Sequence, residues 1–153
     1  MSYIEKHLMS NETLRHRGNL HWVVFLGPAI WLIIGIIFFN GGSDAVPIGG
    51  LIILMALVTG ISSFINLKTS EFGVTNKRVI VKVGLIRRNS IEVLLNKVEG
   101  IQVNQGILGR ILGYGSITIS GTGGTKDLFH KISAPLEFRR KAQEEIASVQ
   151  DSK

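Results

Sequence analysis

Any chemistry in this 153-residue chain has to come from four histidines, its serines, a few glycine-rich turns and one basic cluster. The histidines are His7, His16, His21 and His130. The first three are nine and five residues apart. A metal-binding helix presents two imidazoles at i and i+4, so these read as interfacial side chains. His130, alone in a predicted strand, reads as solvated or hydrogen-bonded. The chain has no cysteine, which excludes a disulfide framework, a thiolate nucleophile and a cysteine-type zinc site. No serine stands in a G-x-S-x-G elbow. Gly124–Thr125–Lys126 misses the spacing of a phosphate loop. Gly113–Tyr114–Gly115 lacks the third glycine and the acid of a dinucleotide site. No set of acid, base and nucleophile emerges. The expectation is a protein that is not an enzyme and takes no cofactor.

The basic cluster is the remaining candidate. Lys77, Arg78, Lys82, Arg87 and Arg88 fall on adjoining predicted strands and their turns. They suit an anion or an acidic lipid headgroup, or equally a solvated face. Each such residue near an anionic surface contributes about 1 kcal/mol. The domain that carries them follows an apolar segment with almost no linker, so recruitment needs no help from them. The reading favours a solvated face that orients the domain on acidic headgroups. Nucleic acid is not expected, because no aromatic stacking platform accompanies the charges.

The distribution of charge says what must position these residues. The net charge is +6, yet residues 21–67 hold one charged side chain, Asp44. Such a stretch has nothing to turn toward water. It splits at the polar NGGSDAV stretch, 40–46, into an 18-residue and a 22-residue apolar run, 22–39 and 46–67. As helices these would span about 27 and 33 Å, near the ~30 Å hydrocarbon core of a bilayer. Each carries twelve Val, Ile, Leu or Phe, roughly −4 to −7 kcal/mol of insertion free energy before Gly and Pro are subtracted. A cleaved signal peptide is opposed by the length of the first run and by the second that follows at once. Ala56 and Gly60, four apart, are placed to let the helices approach. Arg15, Arg17 and Lys68 flank the pair, while the loop has no basic residue. The positive-inside rule then puts both termini in the cytoplasm of a multi-pass protein of the inner (plasma) membrane. The domains read as a cytoplasmic segment 1–20, a transmembrane hairpin 21–67 and a cytoplasmic domain 68–153.

Beyond Lys68 the hydrophobic period becomes two. Val79, Val81 and Val83 alternate with Arg78, Ile80 and Lys82, which predicts a half-buried strand. Glu71–Val74 is its partner, across a Thr75–Asn76–Lys77 turn. Further strands are predicted near 86–95, 98–105, 115–121 and 127–133. The apolar ILGRILGYG, 107–115, is expected as a short turn or helix packed on the sheet. Pro135 opens a last helix whose Phe138, Ala142, Ile146 and Val149 form one stripe. Six or seven antiparallel strands closed by a C-terminal helix make an open barrel or sandwich. Residues 69–153 are expected to fold alone.

Several of these segments together carry a resemblance. They are YIEKHL at 3–8 with Glu12, HW at 21–22, FGVTNKRVIVKVGLIRR at 72–88, LGRILGYGSITISGTGG at 108–124, and the Pro-led helix. The chain resembles bacterial membrane proteins with a PH-like domain of the second bPH type. The resemblance implies a seven-stranded PH-like barrel with a C-terminal helix, anchored by two transmembrane helices; it implies no activity. The expected function is a membrane-anchored binding or scaffold module of a bacterial inner membrane. It would hold a protein partner, a second copy or acidic headgroups at the cytoplasmic face. The alternative is an accessory subunit of a transport or stress-response complex that acts through its membrane helices, although no charge lies within them to carry ions.

Overall fold

In the computed structural model, which describes residues 3–84, 89–122, 124 and 126–151, Leu14–Asn19 (β1) pairs antiparallel with Glu71–Thr75 (β2). The register runs from Leu14 opposite Thr75 to Asn19 opposite Glu71. The uncharged stretch is therefore an insertion between two neighbouring strands. The chain forms two units, Trp22–Lys68 and a second made of Met1–His21 with Thr69–Lys153. Residues 1–20 were expected as a segment apart from the β domain, and the pairing corrects this. The strand was hard to see because β1, LRHRGN, alternates half-buried and exposed positions and buries only Gly18 fully. A Cβ on Gly18 would meet the Phe138 ring at 3.1 Å. β1 thus contributes backbone and closeness where other strands contribute apolar side chains.

The helical unit holds Leu26–Phe39 (α2), led in by a 3-10 turn at Trp22–Phe25, and Val46–Thr69 (α3). Both are long and apolar enough to cross a membrane by length and composition, and only 11% of either span is buried. Their closest approach is made by glycines. A Cβ on Gly35 would lie 2.8 Å from Ile53 Cγ1, and one on Gly49 would overlap the Phe39 backbone. Ala56 is buried as well. Gly60 meets only Pro28, at 3.8 Å, so Gly35 and Gly49 take the place expected for Gly60.

Among the described residues the β unit holds seven strands in two sheets. The first runs β1-β2-β3-β4 and the second β5-β6-β7, all antiparallel. Here β3 is Arg78–Val83, β4 Asn89–Leu94, β5 Val98–Asn104, β6 Tyr114–Gly121 and β7 Lys126–Ser133. The expected barrel does not close. A 3-10 turn at Leu95–Lys97 separates β4 from β5. At the other seam β1 meets β7 through the Leu20–Ile132 bridge and the bond from His21 N–H to Lys131 O, 2.7 Å. The ladder cannot lengthen there, because the chain leaves for α2 at Trp22.

Val74, Val79 and Val81 from the first sheet and Ile117, Ile119 and Ile132 from the second are each at most 1% exposed. Pro135–Asp151 (α5) lies on this core through Phe138 and Ala142, with Ile146 and Val149 at its edge. The Phe72 ring stands edge-on to Phe129 and Phe138, at 5.9 and 6.5 Å. β3 is not half-buried as its period suggests. Ile80, on the outer face, is 0% exposed. The short helix Tyr3–Lys6 (α1) covers that face, with Ile4 fully buried. A Cβ on Gly73 would sit 2.7 Å from Ile4 Cδ1.

Candidate interaction surfaces

The β2–β3 turn carries Lys77 and Arg78, which the sequence reads as part of a solvated basic face or, alternatively, as contacts for an anion. It is bound instead by the chain's own N-terminal segment. The Asn76 N–H and side-chain amide join Thr13 and Asn11, and Thr13 N–H donates to Asn76 Oδ1 at 2.9 Å. Thr75 Oγ1 accepts the N–H groups of Lys77 and Arg78, and lies 2.7 Å from Glu12 Oε1. Arg78 Nε and Nη2 grip the two Glu12 oxygens at 2.9 and 3.0 Å. Nη2 also donates to His7 O, and Nη1 to Glu92 Oε2. The Glu12 side chain is 0% exposed and that of Arg78 6%. Four of the five Arg78 donors are engaged within the fold and the side chain is nearly all buried, which leaves it little to offer a headgroup.

This forked pair has directional consequences. Burial raises the Glu12 pKa, but hydrogen bonds from Arg78, the Met9 N–H and Thr75, with the Arg78 charge, outweigh it and hold the carboxyl below its ordinary value. The hydrogen bond to Glu12 raises Arg78, against the opposing effect of burial. Both groups stay charged through the neutral range. Removing Arg78 would leave Glu12 as a buried, uncompensated ion, and removing Glu12 would leave buried Arg78 with Glu92 as its remaining carboxylate.

The other basic candidates do not gather round this turn. Lys77 Nζ donates to Ser10 O at 2.8 Å. Lys82 lies over the Tyr3 ring, 4.2 Å from its centroid. It is opposite Glu71 at the far end of the hairpin, about 13 Å from Arg78 at ~3.3 Å per residue. Arg87 and Arg88 lie outside the described residues. The histidines are dispersed too. His7 stacks on Tyr3 and donates from Nδ1 to Tyr3 O, while His16 meets the Phe138 edge. His21 is 5.5 Å from the Tyr114 ring, and His130 pairs with Ser116 Oγ. Among the described residues no three His, Asp or Glu side chains are grouped to hold a metal.

A second surface was not expected. Ile107–Leu112 (α4) is helical, but it does not pack its apolar residues on the sheet. Ile107 is 82% exposed, Leu108 64% and Ile111 74%. Only Gly109 faces inward, where a Cβ would press on Tyr114 O at 2.5 Å. Gln105 Nε2 donates to that same oxygen at 3.0 Å. Gly113, at φ +78°, ends the helix and returns its N–H to Gly109 O; glycine accepts this left-handed conformation without steric cost. The backbone thus holds α4 on its buried glycine, leaving three large apolar side chains and Arg110 outward. The sequence signal was present as an apolar run interrupted by one charge, Arg110. Its direction was not, because a two-turn helix resting on glycine inverts the usual rule that the apolar face packs.

Comparison with known proteins gives one family. The family described as the bacterial PH domain matches residues 23–151, and the chain belongs to it. The match takes in both apolar helices and most of the β unit, while β1 precedes it. No curated protein matches the chain.

Proposed function

We propose that this bacterial PH-domain protein is a membrane-anchored binding module, with its β unit held at the cytoplasmic face of the inner membrane to engage a protein partner. PH-like domains are in general binding modules rather than enzymes, which accords with the family. The observation that carries the reading is the insertion of the apolar hairpin between β1 and β2. Asn19 and Glu71 are register partners, so the chain departs and returns at one edge of one sheet. Two spans between paired strands bring it back to the side it left. The spans keep Ile33, Ile37, Leu51 and Leu54 58–64% exposed, a surface that water does not tolerate at this extent and lipid does. The basic flanks Arg15, Arg17 and Lys68 favour the cytoplasmic side. With Arg78 consumed internally, a protein partner is better supported than a headgroup site in the first hairpin.

A second reading, a subunit that works by packing its spans against other spans, draws on one feature. Pro28, Ala29, Ala56 and Gly60 line an apolar groove on the hairpin, and small residues let helices approach closely in lipid. Single cysteines test the anchoring directly, because the chain has none of its own. In intact cells Ser43→Cys should react with an impermeant thiol reagent and Ser148→Cys should not. Equal reactivity, or the reverse, overturns the topology. Photocrosslinking in native membranes from the β unit against the hairpin groove separates the two readings by where the partner is captured.

A further inference from the structure

The geometry points to α4 as a second membrane contact, an apolar wedge that enters the interface of the bilayer holding the hairpin and fixes the attitude of the β unit. This rests on the anchoring proposed above. The chain leaves the β unit at one edge, beside β7. Leu20 bridges to Ile132 of β7, and His21 N–H bonds Lys131 O. Tyr114, the first residue of β6, pairs with Ser133, one residue along β7. Its ring lies 5.5 Å from that of His21. Gly113 O accepts the Ala134 N–H at 2.9 Å, so the end of α4 is tied to the same corner. Trp22, the first residue of the apolar helices, follows His21 directly. An apolar span entered at Trp22 puts His21 in the headgroup layer, since indoles and imidazoles at such ends sit at that level. Tyr114 is then at that depth, and α4 ends two residues before it.

What α4 presents there suits lipid. Ile107, Leu108 and Ile111 project together, and Arg110 lies between them in sequence, also exposed. An apolar face that sinks ~5–10 Å into the headgroup boundary, with a cation beside it for phosphate, is the pattern of interfacial helices. The charge favours an anionic leaflet. The β2–β3 turn is remote from this corner. Thr75 pairs with Leu14, at the other end of β1 from Leu20, so a seated wedge leaves that turn facing the aqueous side.

The test uses the full chain in vesicles of phosphatidylcholine with phosphatidylglycerol, labelled with an environment-sensitive fluorophore at one cysteine and quenched by a doxyl-labelled lipid. Ile111→Cys reports the wedge and Ile33→Cys the hairpin. Leu128→Cys is an exposed apolar site on β7 away from the corner, and controls for attraction of the dye itself. The inference expects quenching at Ile111→Cys and Ile33→Cys, with Leu128→Cys left as in water. Quenching at Ile33→Cys with Ile111→Cys no different from Leu128→Cys overturns the wedge and leaves the anchor intact. No quenching at Ile33→Cys overturns the anchor, and the wedge with it. A blue shift at Ile111→Cys that grows with protein density but is insensitive to the doxyl lipid assigns the face to a second copy, and also overturns the wedge. The substituted side chain is largely solvent-exposed, so the label does not disturb the core.

Discussion

Arg78 is 5% exposed and Ile107 is 82% exposed; the turn beside Arg78 adjoins the Leu14 end of β1, and the corner that holds the end of α4 adjoins Leu20. At one end a charged turn is sealed by a forked ion pair and a loop of the N-terminal segment. At the other an apolar helix stands clear of the core. The first would be costly if the buried charge lost its partners, and the second if water alone surrounded it. A buried guanidinium is tolerable because Glu12, Glu92 and His7 O take its donors. An exposed apolar helix is tolerable where a bilayer or partner covers it. Charge at the first end is satisfied inside the fold, and hydrophobicity at the second is left uncovered by it.

The comparison can be broken most severely by cutting the chain. A fragment of residues 69–153 lacks β1 and Glu12, leaving Phe138 uncovered where Gly18 lay and Arg78 without its forked partner, with Glu92 alone beside it. It should fail to give a dispersed NMR spectrum, contrary to the expectation that it folds alone. Residues 3–20 joined by a short turn to 70–151 should restore one, because Asn19 and Glu71 are already adjacent. A dispersed spectrum from the shorter fragment would show that β1 is dispensable.

Single substitutions come next. Arg78→Ala and Glu12→Ala should each cost about 3–5 kcal/mol, much of a stability of ~5–15 kcal/mol. The double replacement Glu12→Leu with Arg78→Met should cost clearly less than either, since no lone ion remains. Denaturant melts of the full chain in nanodiscs measure all three, and additive losses would contradict the buried pair. Phe138→Ala should cost a similar ~3–5 kcal/mol through the cavity it leaves.

The same pair sets a pH dependence. A carboxyl whose folded pKa is depressed contributes stability that is complete above its unfolded value, here 4.5, and is lost as pH falls through the folded value below it. Acid melts should therefore show a limb below pH 4.5 that is absent in Glu12→Gln. An identical limb in both proteins would assign acid sensitivity to other groups.

The smallest effects belong to the exposed end. Ile107→Ser and Ile111→Ser should change the stability of the β unit by no more than about 0.5 kcal/mol. A loss of several times that size would mean that α4 packs on protein. Lys77→Ala, which loses one bond to Ser10 O, should be equally mild.

The uncharged stretch, the period-two runs and the Pro135 helix were legible because each follows from local physics. A chain of 47 residues with one charge, 21–67, has few places to go, alternating valines make one face of a strand, and Phe138 and Ala142 recur at the helical repeat. Six of the seven described strands, all but β1, and their antiparallel sense followed from the same turns. Composition alone also showed that no thiol chemistry was available. The tertiary structure decided what depends on residues distant in sequence. Glu12 and Arg78 are 66 positions apart, and nothing local to either marks the other as its partner. β1 became a strand because β2 supplied its hydrogen bonds and Phe138 lay over Gly18, not through its own hydrophobicity. The direction of α4 was settled by Gly109 against Tyr114 O, a contact between backbones that carries no side-chain signature. Sequence specifies what each segment can form and which faces it has to cover; burial of a charge or exposure of an apolar helix is fixed only when the whole chain shows what lies opposite.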